Sequence, residues 1–363
     1  MGGDVQNETF VVADVGATFV RVALARSGQL GPITKRRIAE LPRDERMGIV
    51  DSIAEMLRQT VANGWGGDSG PGGPPIPAAV GIGIAEAVDD RGSLHSPLSF
   101  GVPGGTCLRD RISAALGVPT AIDNDANMAA LGELVYGIGR GLRDFLLLTL
   151  GTNLGLGIVA NGELYRGAHG GAGEVGLMLV PSRTVEGSDL EGERRVVIAE
   201  RFGVVSTGAP VGYTWIEELV GGRALSESLA ASRSDGRLAE RGTPSQPRPR
   251  VLQEAAAGDQ SAQEIVRRGV EGWSYAIANL IALFDPAAII IAGGLGADFE
   301  PFLDSLRQRV AAISRASPDI LSARLGAIGG LIGAQVAASC LMGPERLKER
   351  LDAGSRASGG QAV

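Results

Sequence analysis

Cysteine is almost missing from this chain: Cys107 and Cys340 are the two among 363 residues, far apart and without CxxC spacing. That excludes a disulfide framework and a cysteine zinc site, and it fits a reducing cytoplasm. Histidine is equally scarce, with only His95 and His169. Nor is there an excess of positive charge: 34 Lys and Arg stand against 41 Asp and Glu, the formal net charge is -7, and the basic residues are scattered. A nucleic-acid partner therefore has no compositional support. The apolar runs at 144–150 and 276–292 are short or interrupted by Asn279, Asp285 and Pro286, and no basic-then-apolar leader opens the chain. Neither a membrane partner nor export is expected. The length favours two domains, each large enough to bury a core.

What is present is an alternation of strand and helix patterns, which argues for an α/β fold. Residues 10–13 and 19–25 read as two strands around a glycine-bearing turn, a hairpin at the very start. Met47, Val50, Ile53, Leu57 and Val61 form the stripe of an amphipathic helix over 44–61. The Gly- and Pro-rich stretch 64–77 reads as a surface loop before a strand at 78–85. A helix at 108–116, a strand at 119–123 and a helix at 125–136 follow. Then comes a second hairpin, 144–150 and on to Ala160 around a turn at Gly151-Thr152-Asn153, and the tight-turn dipeptide Asn161-Gly162 starts another at once. Loops are expected at 182–210 and 232–250, a long helix at 259–284, a buried strand at 288–292, and helices at 298–313 and 329–342.

The two hairpins are an internal repeat. Residues 11–25, VVADVGATFVRVALA, align without a gap on 146–160, LLLTLGTNLGLGIVA, matching Asp14 to Thr149 and Gly16 to Gly151. Such a pair suits two similar lobes facing each other across a cleft, each offering a turn to one ligand. Glycine lets backbone N–H groups approach phosphate oxygens, and Thr18 and Thr152 add hydroxyl donors. One turn is placed for the γ-phosphate side and the other for the β-phosphate side, with Asp14 placed to hold Mg²⁺ through water. The competing reading is structural, because hairpin turns use glycine anyway.

With these motifs the sequence resembles the ROK family, sugar kinases and related sugar-responsive repressors of the actin-like ATPase superfamily. The resemblance rests on five segments in order: Asp14-Val15-Gly16-Ala17-Thr18, Asn124-Asp125-Ala126-Asn127, Leu150-Gly151-Thr152, Gly171-Ala172-Gly173-Glu174, and Ile289 to Leu295 with Gly293 and Gly294. It implies a two-lobed actin-like ATPase (ribonuclease H-like) fold with an active-site cleft between the lobes. The lobes would be 1–124 and 125–326, with a C-terminal helix at about 327–343 returning to the first and 344–363 a disordered tail. It implies ATP with Mg²⁺ as cofactors, a sugar as small-molecule substrate, and a homodimer. Gly293 and Gly294 would lie on the adenosine side, and Asn124, Glu174 and Glu217 on the sugar side, with a solvated surface carboxylate the alternative, above all for Glu217. His169, close in sequence to Glu174, is a further sugar-side candidate against the default of a loop histidine paired with backbone, and His95 reads as exposed.

Asp125 carries two readings. Between a strand and a helix, Asn124 or Asp125 is an ordinary helix cap. A carboxylate there can also accept the proton of an attacking hydroxyl, and the resemblance implies that base role in phosphorylating a hexose or N-acetylhexosamine. The departures fall on the sugar side. Leu177 stands where the family has a histidine that touches sugar and zinc, the cysteine-rich zinc motif is missing between 181 and 214, and Ala85-Glu86 replaces Pro-Gly. A family Asn is replaced near Ser99. No zinc site is expected. A catalytically weak sugar-binding regulator is thus the alternative to a glucokinase-like enzyme, although the nine residues before Phe10 leave no room for the helix-turn-helix domain of family repressors. Either reading leaves the sugar open, and the kinase reading leaves ATP or polyphosphate as donor.

Overall fold

The computed structural model describes residues 8–42, 48–65, 75–95, 107–181, 213–233, 250–296 and 298–343, with 345, 347, 348 and 351. In the first half β1 (Phe10–Val15) and β2 (Phe19–Arg26) form the expected antiparallel hairpin. Two short strands, β3 (Gln29–Leu30) and β4 (Thr34–Arg37), extend it along the outer edge of β2. Helix α1 (Ile49–Asn63) leads to β5 (Val80–Ile84), which lies parallel to β1. Helix α2 (Leu108–Leu116) leads to β6 (Thr120–Asn124), parallel to β5, and α3 (Asp125–Tyr136) follows without a break.

The second half repeats this plan. Strands β7 (Phe145–Leu150), β8 (Leu154–Ala160) and β9 (Glu163–Leu164) run antiparallel in succession. A small pair, β10 (Leu179–Pro181) and β11 (Tyr213–Trp215), precedes helices α4 (Ile216–Val220), α5 (Gly222–Ser232), α6 (Val251–Ala256) and α7 (Gln260–Phe284). Strand β12 (Ala288–Ala292) runs parallel to β7, and the single turn α8 (Gly293–Gly296) closes it. Helix α9 (Leu303–Ile313), strand β13 (Asp319–Ser322) and helix α10 (Gly329–Cys340) complete the order. The sheets read β3-β2-β1-β5-β6 and β9-β8-β7-β12-β13, so the sequence repeat is a repeat of topology.

Side-chain alternation explains the layering. In the first sheet Val11, Ala13, Val15, Val20, Val22 and Leu24 face one way, onto α1 and α2. Phe10, Val12, Ala23 and Ala25 face the other way, onto α3 and α10. In the second sheet Leu146, Leu148 and Leu150 pack with the apolar faces of α4 to α7 and α9, while Phe145 and Leu147 meet α3 and α10. Each of the large buried aliphatic side chains contributes about 1.5–3 kcal/mol relative to exposure. The two lobes thus share a central helix pair. Its close approach requires glycine: a Cβ on Gly333 would stand 1.6 Å from the Met128 carbonyl oxygen, and one on Gly132 2.5 Å from that of Gly329.

Several elements differ from expectation. Helix α1 starts at Ile49, where the Asp51 carboxylate accepts the Gly48 N–H at 3.2 Å, while Met47 lies outside the described residues. The stretch 298–313 is not one helix; a 3-10 turn at Glu300–Phe302, containing Pro301, precedes α9. Residues 66–74, 182–212 and 234–249 lie outside the described residues and take most of the expected loops with them. In the C-terminal stretch, Leu347 and Leu351 are helical and pack against the cluster around Phe145 and Leu147. Among the described residues no helix is long and apolar enough to cross a membrane.

Candidate active site

The two hairpin turns meet. Thr18 Oγ1 and Thr152 Oγ1, 134 residues apart in the chain, lie 3.4 Å from each other. Each turn is pinned by its glycine: Gly16 N donates to Phe19 O at 3.0 Å and Gly151 N to Asn153 O at 3.1 Å. Four residues separate the paired Val15 and Val20, but three separate Leu150 and Leu154. The second turn is therefore one residue tighter, and the gapless match of the repeat slips by one in the return strands. Neither Gly16 nor Gly151 has a left-handed φ. A Cβ on either would meet one carbonyl oxygen at 3.6 Å and nothing closer. The turns would tolerate a side chain, so backbone strain and packing do not explain the glycines, whereas room for a ligand does.

The second turn is held from behind. Gly222 N donates to Gly151 O at 2.9 Å and Arg223 N to Thr152 O at 3.2 Å, so the start of α5 satisfies its own N–H groups on the turn. Gly293 has φ +89°, and a Cβ there would stand 2.6 Å from the Leu150 carbonyl oxygen, so glycine is needed where β12 closes on β7. Gly294 has nothing within 4 Å of its Cβ position. Ala17 and Thr18 are exposed beside Gly16.

Asp14 is 5% exposed, and Arg21 stands directly opposite on β2. The guanidinium donates through Nη2 to Asp14 Oδ2 and through Nη1 to the carbonyl oxygen of Ala327, in the 3-10 turn that enters α10. Burial pushes the Asp14 carboxyl above its ordinary value, and the Arg21 charge and hydrogen bond pull it back. With Oδ2 committed to Arg21, one carboxylate cannot build an all-protein magnesium cage. It fits a hydrated ion that takes its remaining ligands from water and phosphate oxygens.

At the start of α3 the capping is divided as its two polar residues allow. Asn124 is the cap: its Oδ1 accepts from Ala126 N at 2.9 Å and Asn127 N at 3.4 Å, while Nδ2 donates to Glu86 O at 3.3 Å. Most of its hydrogen-bonding capacity is used there, and Asn124 rather than Asp125 is the cap. Asp125 is half-buried, and its Cα lies 3.5 Å from where a Cβ on Gly83 of β5 would stand. On the other side Ala126 faces Gly155 of the second hairpin, whose Cβ would stand 3.2 Å from that of Ala126. The start of α3 thus lies between the first sheet and the second hairpin.

On the expected sugar side, Glu174 is half-buried at the start of the 3-10 turn Val175–Leu177, and its carbonyl accepts Leu177 N at 3.1 Å. Glu217, for which a solvated surface position was the alternative, is buried on α4 instead. Its Oε2 lies 2.6 Å from where a Cβ on Gly176 would stand. The two glutamates are brought to one turn. His169 is exposed in the loop after β9, while its neighbour Gly170 presses on the Val88 carbonyl, 2.0 Å from a Cβ position. Leu177 is half-buried and Glu86 is 1% exposed. His95, expected to be exposed, is half-buried because its N–H joins Ala87 O at 3.0 Å in a turn of chain. Sequence reasoning missed Arg21 and Asp123. Hairpin register across from Asp14 would have found the first, and the spacing Asp123 to Asn127 on a helix start hints at the second. Ser99 lies outside the described residues, and among those described no cluster of metal-ligating side chains occurs.

A repeated sheet, a shared helix pair and two opposed glycine turns define the two-lobed actin-like fold with its cleft between lobes. The ROK family profile matches residues 11–339, and the chain belongs to the ROK family. It is 34% identical over 244 residues to the bifunctional enzyme NanE/NanK of Brucella melitensis, covering 66% of this chain and 39% of that protein. The chain therefore spans well under two thirds of that relative's length. It is 32% identical over 241 residues to a glucokinase of Streptomyces coelicolor, covering 62% of this chain and 69% of the glucokinase. The crystal structure of a ROK family glucokinase from Streptomyces griseus, in complex with glucose and AMPPNP, is similar with a TM-score of 0.69 at 27% identity, over 91% of this chain and 99% of that one.

Proposed function

We propose that this chain is a carbohydrate kinase that transfers the γ-phosphoryl group of ATP to a hydroxyl of a hexose or N-acetylhexosamine. The observation that carries the reading is the meeting of Thr18 and Thr152 at 3.4 Å between two glycines that neither fold nor packing demands. The Ala17 backbone N–H and the two threonine hydroxyls are the donors for the phosphate oxygens, with Gly16 and Gly151 leaving room for them, and such preorganised donors stabilise charge developing in transfer. Gly293 and Gly294 lie next to the second turn, where the rest of the nucleotide would run. Mg²⁺ bound with the nucleotide would supply charge neutralisation at the phosphates, with Asp14 holding it through water.

Asp125 is the general base that takes the proton of the attacking hydroxyl, a role available to it because Asn124 does the capping. Asn124 keeps one amide hydrogen for a sugar hydroxyl, and Glu174, Glu217 and His169 complete the acceptor side. The names of the relatives and the glucose and AMPPNP of the Streptomyces griseus structure support this chemistry. A cytoplasmic homodimer fits the same reading. The test is ADP release with glucose, mannose, N-acetylglucosamine, N-acetylmannosamine and fructose. Turnover with at least one sugar is expected, and Asp125→Ala should lower kcat by about 10²–10⁴-fold. Sugar-induced thermal stabilisation without turnover would replace the kinase by a sugar-binding regulator.

A further inference from the structure

One ion pair ties the two sheets together beside Asp125. Arg166 leaves the second sheet just after β9 and its Nε donates to Asp123 Oδ2 at 2.6 Å, on the last strand of the first sheet. Asp123 is buried, and its other oxygen is shared: Oδ1 accepts from Asn124 N at 2.7 Å and from Asn127 Nδ2 at 2.8 Å. Asn127 is 1% exposed, and its Oδ1 has no hydrogen-bond partner among the described residues, so Asp123 is what orients that amide. Apart from Arg166, the groups that Asp123 holds belong to the two residues flanking Asp125 and Ala126.

The other end of the bridge is equally well placed. Arg166 opens the loop that carries His169 and Glu174, and its own carbonyl accepts Ala172 N at 3.1 Å. Farther along, Gly173 presses on the Leu156 carbonyl oxygen, 2.0 Å from its Cβ position, which anchors the loop on β8. One charge-assisted contact therefore sets the acceptor loop against the segment that bears the base.

We propose that Arg166 and Asp123 are positioning residues for phosphoryl transfer. Arg166 fixes Asp123, Asp123 fixes Asn124 and Asn127, and these set the direction of the Asp125 carboxylate relative to a sugar bound against Glu174. Arg166 acts through Asp123 and touches no reacting atom. The proposal rests on the kinase reading above for its kinetic consequence, and on geometry alone for its structural one.

The test uses the full chain with Arg166→Ala, Arg166→Lys, Asp123→Asn and the double variant Arg166→Ala/Asp123→Asn, with Asp125→Ala beside them. Arg166→Ala should lower kcat by about tenfold to a hundredfold, the range for a reacting group displaced by a fraction of an ångström to one ångström. The KM for sugar should rise, and the KM for ATP should stay within about twofold because the phosphate turns are untouched. Arg166→Lys and added guanidinium should each recover part of the loss, and the double variant should be no worse than the more damaged single one. Amide hydrogen exchange across 121–128 should speed up in Arg166→Ala without any substrate. Unchanged exchange in that segment, or kinetic losses that add in the double variant, would overturn the proposal. Turnover unaffected by Asp125→Ala would instead remove the base, and the exchange result would still decide whether the tether exists.

Discussion

The two hairpins share a six-residue first strand, their position in their sheets and a glycine after that strand, yet they are built for different work at equivalent sites. In the first, Asp14 faces Arg21 across the pair and both lie against the start of α10. In the second, Thr149 faces Gly155, and the missing side chain lets α3 come within contact of the sheet. One hairpin thus buries a charge and must neutralise it. The other buries none and uses the space for the helix that presents Asp125. On the proposed function the repeat would supply two phosphate turns, and the divergence between its copies would separate the side proposed to hold the metal from the side that presents the proposed base.

The comparison breaks most readily at Arg21. Arg21→Ala leaves the Asp14 carboxylate buried without its cation and should destabilise the protein by about 3 kcal/mol, read from urea unfolding. Thr149→Val in the second hairpin should cost far less. A small effect of Arg21→Ala would mean that water reaches Asp14. Next in size are the turn glycines. Gly16→Ala and Gly151→Ala should each reduce ADP release by about tenfold, ~1.4 kcal/mol in the barrier. The fold should stay as stable as before or gain up to about 1 kcal/mol, because neither backbone is in a region forbidden to alanine. Loss of stability in either would restore the purely structural reading of that turn. Gly155→Ala is the smaller structural counterpart: its Cβ would stand 2.7 Å from Thr149 Oγ1, a hydroxyl that can rotate away. About 1 kcal/mol, measured as a shift in the unfolding midpoint, is expected.

The smallest effect is a slope with pH. Because burial raises the Asp14 carboxyl in the folded state, that state keeps its proton at pH values where the unfolded chain has lost it. The group's contribution is therefore most favourable below the unfolded value, about 3.9, and is lost as pH rises towards the folded one. Asp14→Asn cannot ionise, so the difference in stability between it and the wild type should shift against the wild type over that interval. A shift in the opposite direction would show that Arg21 outweighs burial.

Most strands and helices were readable because their cores follow simple periods. Phe10 to Ala25 alternates inward and outward, and α7 keeps an apolar stripe from Ala262 to Ile281 between an Asp259 cap and Asp285. What escaped lacks such a signal. Strand β13, Asp-Ile-Leu-Ser, is four residues long and mostly half-exposed, and it is a strand only because β12 offers it an edge. The turn α8 is Gly-Gly-Leu-Gly, a poor helix former held where β12 closes on β7. Glu217 reads as surface in Trp215-Ile216-Glu217-Glu218, since its burial depends on Gly176, distant in sequence. The two glycine turns were legible as motifs, but the sense of their glycines was not. Only the coordinates of their neighbours separate a glycine required by φ, such as Gly293, from one that leaves room, such as Gly16.

By itself the sequence determined the two lobes, the repeated hairpin and the residue types at each turn, because alternation, glycine and capping chemistry act over a few neighbouring residues. The tertiary structure alone decided that Thr18 meets Thr152, that Asn124 rather than Asp125 caps α3, and that Arg166 reaches Asp123. Those pairings depend on how two separately formed sheets settle against one shared helix pair. No local period encodes that arrangement.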